Sequence, residues 1–267
     1  MVIFDSHAHY DDGRFEREYE GGAMAALRDA KAAGVEYVVN SGADIETSRA
    51  SIKLAETCDA SMPQIYATVG IHPTETRKYP SLADTIEELR ALASHPRVVA
   101  IGEIGLDYHY PDTQREVQLR FFRAQYALAR ELGLPVVIHD REAHGDVFEI
   151  VREFSDVKTV LHSYSGSAEM ARQYASMGVY MSFGGVLTFK NAQKTRDAAA
   201  VVASEARELL LLETDAPYLA PTPHRGELNY SAYISYTAAV LGDILGVGAD
   251  VTSAAAAENS KRFFGIK

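Results

Sequence analysis

Two imidazoles one residue apart, His7 and His9, follow the apolar run Val2-Ile3-Phe4 near the start of the chain. On a β-strand successive side chains alternate, so residues two apart share a face and both rings can reach one cation. Asp5 falls on that same face, placed to orient a ligating ring, while Ser6 and Ala8 take the other. In isolation such a pair usually marks a hydrogen-bonded surface. It is not isolated here. His72, Glu103, His139, His162 and Asp215 also close apolar runs, in "YATVGIHP", "VVAIGEIGLD", "LPVVIHDRE", "TVLHSYSG" and "ELLLLETDAP", and Asn40 closes "YVVN".

His7, His9, Glu103, His139, His162 and Asp215 offer six nitrogen and oxygen donors. That exceeds what a three-ligand catalytic zinc uses and is enough for two divalent cations. Glu103, in the middle of the set, suits a carboxylate that bridges both. Paired cations acidify water and stabilise charge on the attacked and leaving oxygens. Asp215 then serves as ligand and general base. Imidazole with carboxylate accepts Zn, Mn, Fe or Ni, and Mg where water completes the shell. No GxxxxGK[ST] loop is present. No Ser–His–Asp or Cys–His arrangement is indicated as strongly.

These residues need elements to carry them. Apolar, β-rich runs begin near Val2, Val35, Gln64, Val98, Pro135, Thr159, Val179 and Leu209, and most lead into a helical pattern. "GGAMAALRDAKAAG" ends at Gly34, and "SLADTIEELRALAS" has Ser81 as N-cap. "REVQLRFFRAQYALARELG" is amphipathic up to Gly133, and "SAYISYTAAVLGDILG" and "DVTSAAAAENSKRFFG" supply two last helices. Strands alternating with helices require parallel pairing. Eight units in 267 residues match a (β/α)8 TIM barrel, with a doubly wound open sheet as the competitor. With no linker, repeat or composition shift, residues 1–267 are expected to form a single domain. The polar residues above all fall at C-terminal strand ends, where α/β folds assemble their sites.

Composition narrows the function. A net charge of −11 argues against a protein that coats nucleic acid, though not against an enzyme that handles one phosphate at a time. The single cysteine, Cys58, falls in a predicted helix as packing, which excludes an internal disulfide and a cysteine-rich zinc site. A reducing cytoplasm is the natural setting. Neither a secretory signal nor a membrane-length apolar stretch is seen, so the expectation is a soluble cytoplasmic protein with no membrane and no obligate protein partner.

The segments "DSHAH", "GIHP", "GEIGLDY", "LPVVIHDREA", "LHSYSGS", "SFGGVLTFKN" and "LLLETDAPYLAP", in this order, resemble the TatD family of metal-dependent hydrolases within the amidohydrolase-like TIM-barrel group. The resemblance runs the length of the chain. It implies one metal on His7, His9, Glu103 and Asp215 and another on Glu103, His139 and His162. It also implies DNase activity, in some members 3′→5′ exonuclease action on single strands, supported by Mg. Glu103 stands where phosphotriesterase-like members carry a carbamylated lysine. One loop departs: the family often reads R-G-K-R-N-E-P where this chain has Arg225-Gly226-Glu227-Leu228-Asn229-Tyr230-Ser231. Losing two basic positions there lowers the expected grip on a phosphate strand.

The expected partner is a DNA end or another phosphoester. A small ester or amide is the alternative substrate, and metal binding without turnover the third reading. Among the remaining residues, His72 divides evenly between substrate contact and loop support. Arg141 and Lys190 divide between a phosphate clamp and an ordinary salt bridge. His109 and Tyr110 belong to a loop that lines the cleft, and Tyr108 and Tyr110 could stack on a base or simply pack. Glu213 is expected to lend a supporting hydrogen bond. His95, His144 and His224 are expected at the surface.

Overall fold

A computed structural model of the chain describes residues 2–112 and 114–267. Its strands are β1 (Ile3–Ala8), β2 (Val35–Ser41), β3 (Gln64–Val69), β4 (Val98–Asp107), β5 (Val136–Arg141), β6 (Thr159–Leu161), β7 (Tyr180–Phe183) and β8 (Leu210–Leu212). Each begins within one residue of the position read from the apolar runs. They pair in parallel in simple sequential order, β1 to β8. Closure of the barrel is thin. Beyond β8, Ala216 bridges Ala8, the Asp215 amide donates to the His7 carbonyl at 2.9 Å, and the His9 amide donates to the Ala216 carbonyl at 2.6 Å.

Helices return the chain between strands. After β1 come α1 (Arg14–Glu18) and α2 (Gly22–Ala32). After β2 to β7 come, in turn, α3 (Ile45–Thr57), α4 (Leu82–Ala93), α5 (Arg115–Leu132), α6 (His144–Glu153), α7 (Ala168–Ser176) and α8 (Gln193–Glu205). Two more, α9 (Ile234–Leu245) and α10 (Ala249–Phe264), end the chain. The ends follow local chemistry. Ser81 accepts from the Asp84 amide at the start of α4, and Gly133, at φ 67°, closes α5 in the left-handed conformation. Cys58 is the residue just past α3 rather than within it, half-buried against the core.

Neighbouring strand residues split between two apolar layers. Ile3, Val38, Val136 and Leu212 pack outward with helical residues such as Leu27, Phe122 and Leu241. Phe4, Val39, Val137, Val160, Tyr180 and Leu211 gather with Phe263 and Phe264 of α10. Side chains from six strands meeting this way fill the barrel interior. The end of α10 closes its floor, with Phe264 stacked on Phe4 at 5.9 Å and Phe263 against Tyr180 at 4.9 Å. Two residues further along each strand stand Ser6, Ser41, His139, His162, Ser182 and Glu213. Period-2 alternation therefore lays a polar layer directly above an apolar plug. Among the described residues no single helix is long and apolar enough to cross a membrane.

Candidate metal centre

Glu103 sits at the middle of the polar layer, buried, and its two oxygens face different histidines. Oε2 lies 3.3 Å from His7 Nε2 and 3.7 Å from His9 Nε2. Oε1 lies 2.7 Å from His162 Nε2, 2.9 Å from His139 Nδ1 and 3.6 Å from His72 Nε2. Asp215 closes the first side, its Oδ1 3.5 Å from His9 Nε2 and 3.8 Å from His7 Nε2. Ligand-type atoms converge to within 4.8 Å in three overlapping groups: His7, Glu103 and His162; His7, His9 and Asp215; His72, Glu103 and His139. All six sequence-predicted ligands thus meet at one mouth of the barrel.

The ring orientations suit a cation. His9 Nδ1 is 2.9 Å from the Ser41 carbonyl, an acceptor only, so Nδ1 carries a hydrogen and Nε2 is the atom left to face the centre. His7 Nδ1 is 3.1 Å from the Ser41 hydroxyl, and its Nε2 stands 3.1 Å from that of His9. Both Nε2 atoms therefore face one spot, where a shared proton or a cation can lie between them. On the other side, His139 Nε2 is 3.2 Å from Asp107 Oδ2, which turns Nδ1 towards Glu103. His162 Nδ1 is buried and outside hydrogen-bond reach of any described residue, with Glu213 Oε1 3.7 Å away.

The electrostatics agree. Burial opposes ionisation of Glu103, but the imidazoles around it, His162 foremost, hold its carboxyl well below the usual range. Burial likewise opposes charge on Asp215 and is outweighed by the His9 contact and neighbouring rings, so its carboxyl is also lowered. His162 is pushed well above the usual imidazole range, burial being overcome by Glu103. Despite burial, Asp215 and Glu103 raise His9 to about 9. Burial and His139 take His72 down to about 3, leaving it neutral. The cluster holds anionic carboxylates that draw positive charge from whatever is near. A divalent ion would displace those protons.

Local irregularities deliver three of these groups. His7 is three residues beyond inward-facing Phe4, out of step with strict alternation, and the β1–β2 register shifts between Asp5 and Ala8. Ser6 reaches across the interior to Ser182 Oγ at 3.1 Å, so it faces inward. Asp5 does not orient a histidine ring as alternation suggested. Its carboxylate accepts from the Thr214 amide and hydroxyl and from Ser231 Oγ, tying β1 to the end of β8. Glu103 follows a second register shift, between Ile101 and Ile104. Asp215 has φ 58°, a left-handed conformation that aspartate tolerates better than most residues.

A cleft of about 710 Å³ opens over the cluster, lined also by Asp11, Asp12, Thr47, Asp107, Tyr110, Arg141 and Tyr218. His72 supports its loop, Nδ1 meeting the Thr74 hydroxyl at 2.7 Å, while Nε2 faces Glu103 at the edge of the cleft. Glu213 accepts from the Ser163 amide at 2.6 Å and so fixes the backbone beside His162. Tyr108 packs, bonded to Asp146 beneath Arg115. Asn40 holds the β1 exit, accepting from the Tyr10 amide and donating to Asp11. Lys190 is exposed and does not line the cleft, while His95 pairs with Glu56 at the surface. His144 bonds Asp140, next to His139.

The departing loop lies elsewhere. Glu227 pairs with His224, which stacks on Tyr233, and Leu228 packs on the core. Arg225 covers the Phe189 ring, and buried Asn229 donates to the Thr214 and Tyr218 carbonyls. None of the four lines the cleft. Asp107 and Tyr218 were missed in the sequence. Asp107 was discoverable, since "GEIGLD" places it four residues after Glu103 on the same strand.

Comparison with known proteins matches this arrangement. A sequence profile described as TatD-related DNase covers residues 4–265. The uncharacterized metal-dependent hydrolase YabD of Bacillus subtilis is 37% identical over 271 residues, 99% of this chain and 100% of its own. The uncharacterized metal-dependent hydrolase YcfH of Escherichia coli is 33% identical, over 100% of this chain and 97% of its own. Among solved structures, YJJV, a TatD homolog from Escherichia coli, superposes with a TM-score of 0.88 at 30% identity, over 99% of this chain and 98% of that one. Matched from end to end in sequence and in fold, the chain belongs to the TatD family of metal-dependent hydrolases.

Proposed function

We propose that the protein hydrolyses phosphodiester bonds at DNA ends, removing nucleotides from single strands in the 3′→5′ direction, with two divalent cations (Mg, Mn or Zn) held in the histidine–carboxylate cluster. The observation that carries this reading is the division of Glu103, one oxygen towards His7 and His9 and the other towards His139 and His162. His7, His9, Asp215 and Glu103 would hold one cation; Glu103, His139 and His162 would hold the other. The all-nitrogen-and-oxygen donor set fits such ions. Bound there, a divalent pair supplies charge stabilisation and more acidic water.

The chain's own groups do the rest. Asp215, ionised and lightly exposed, takes the proton of the attacking water. Ser41 and Asp107 keep His9 and His139 in the tautomers that present lone pairs to the centre. The description of the family as DNases supports the substrate class. So does a wide cleft with Tyr110 and Tyr218 half-exposed at its rim, because an aromatic face accepts any unpaired base. The acidic balance suits recognition of an end rather than wrapping of a duplex. We place the activity in the cytoplasm, carried by one domain without an obligate protein partner.

Elemental analysis of the purified protein and of Glu103→Gln, with hydrolysis assays, tests the reading. About two equivalents of metal are expected in the wild type and fewer in the variant. The wild type should shorten single-stranded oligonucleotides in a chelator-sensitive way. Full metal content in Glu103→Gln, or turnover of aryl esters and amides but no oligonucleotide, would overturn it.

A further inference from the structure

We propose that Arg141 and Tyr110 form a nucleotide subsite beside the metal centre: the guanidinium takes the phosphate next to the scissile one, and the tyrosine ring stacks on the attached base. This rests on the phosphodiesterase reading above. Arg141 ends β5, two residues after His139 and so about 6–7 Å further along the strand. That offset suits a phosphate adjoining the one at the cations. Arg141 lines the main cleft and also an adjoining hollow of about 380 Å³ that shares His139, His162 and Asp215 with it.

Its surroundings decide between the clamp and the ordinary salt bridge. Both neighbouring acids are engaged elsewhere: Asp140 meets His144 at 2.8 Å, and Glu142 meets His109 at 2.7 Å. Other arginines at or near the barrel mouth have carboxylates, Arg14 with Glu18 and Arg115 with Asp146. Arg141 has none within ion-pair distance among the described residues. In a chain with 37 acidic and 26 basic residues, that leaves an exposed guanidinium open to an anion, beside a cluster built for cations. The planar fork of arginine matches a phosphate with two parallel hydrogen bonds.

The contact Arg141 does make completes the subsite. Its guanidinium carbon lies 5.6 Å from the centroid of the Tyr110 ring. Tyr110 is 47% exposed at the cleft rim and is braced edge-on by His109 at 5.3 Å, the ring that Glu142 holds. Held by these contacts and still about half exposed, the ring stands within reach of the charged fork. Phosphate and base of a single nucleotide are separated on much the same scale.

The test compares kcat/KM for a short single-stranded oligonucleotide with that for bis(p-nitrophenyl) phosphate, a diester with one phosphate and no base. Enzymes are compared at equal metal content. In Arg141→Ala the ratio should fall about ten- to hundredfold. Tyr110→Ala should lower it about tenfold, and Tyr110→Phe should leave it near wild type. An abasic residue at the stacked position should erase the Tyr110→Ala effect. An unmoved ratio in Arg141→Ala, with wild-type cleavage of the oligonucleotide intact, overturns the subsite alone. A wild type that cleaves only the aryl diester overturns the DNA reading, and the subsite with it.

Discussion

Asp215 is placed to do what the other carboxylates cannot. Glu103 is enclosed by five imidazoles, whereas Asp215 meets two and its side chain is 16% exposed. Replacing it by Asn keeps the shape and removes the proton acceptor. Turnover should drop about 10²- to 10⁴-fold with little change in KM. A rise in KM alone would assign Asp215 to binding. Cys58 offers a prediction away from the centre. Burial pushes its thiol up to about 11, against about 8.5 for a free thiol. The folded chain therefore keeps that proton longer than the unfolded one. The stability so gained is complete below about pH 8.5 and is lost as pH rises through about 11. At pH 8 a disulfide reagent should label the native protein much more slowly than the urea-unfolded chain. Equal rates would contradict the burial of the sulfur.

Strands were easier to foresee than the breaks in them. All eight starts were legible within a residue because parallel barrel strands are continuous apolar runs bounded by turn residues. The six clustered donors were legible because they close those runs. Asp5 was misplaced for the opposite reason: period-2 reasoning assumes an unbroken register, and the shift between Asp5 and Ala8 leaves no mark in the apolar pattern. Asp107 stood in view in "GEIGLD", four residues after Glu103, but its partner His139 lies on β5 and only the fold shows that contact. A glycine stands just past one such break, the shift between Ile101 and Ile104. Gly105 has φ 142°, and a Cβ there would lie 2.0 Å from the His139 carbonyl oxygen. Gly105→Ala should therefore cost about 3 kcal/mol or more, from clash and backbone strain together. Thermal unfolding at matched metal content measures it. A loss below about 1 kcal/mol would mean that β4 and β5 can separate locally without harm.

Across the whole molecule, the apolar plug and the polar layer above it divide labour. Phe4, Val39 and Leu211, with Phe263 and Phe264 from α10, supply burial, and the mouth supplies a concentration of charge that burial alone disfavours. Saturating divalent cation at about 100 times its dissociation constant should add about 2.7 kcal/mol to stability. For a chain of this size that is a rise of about 5–10 °C in Tm, reversed by chelator. A Tm indifferent to both would argue that no ion settles among these side chains. The thin closure between β1 and the end of β8 gives this coupling a location. His7, His9 and Asp215 straddle that seam, which is otherwise joined by few backbone contacts and by the Asp5 and Ser6 side chains. An ion gripping all three would act as a clasp on the barrel's weakest join. Amide exchange at His9 and Asp215 should then slow when the ion arrives, while the floor near Phe264 exchanges at an unchanged pace.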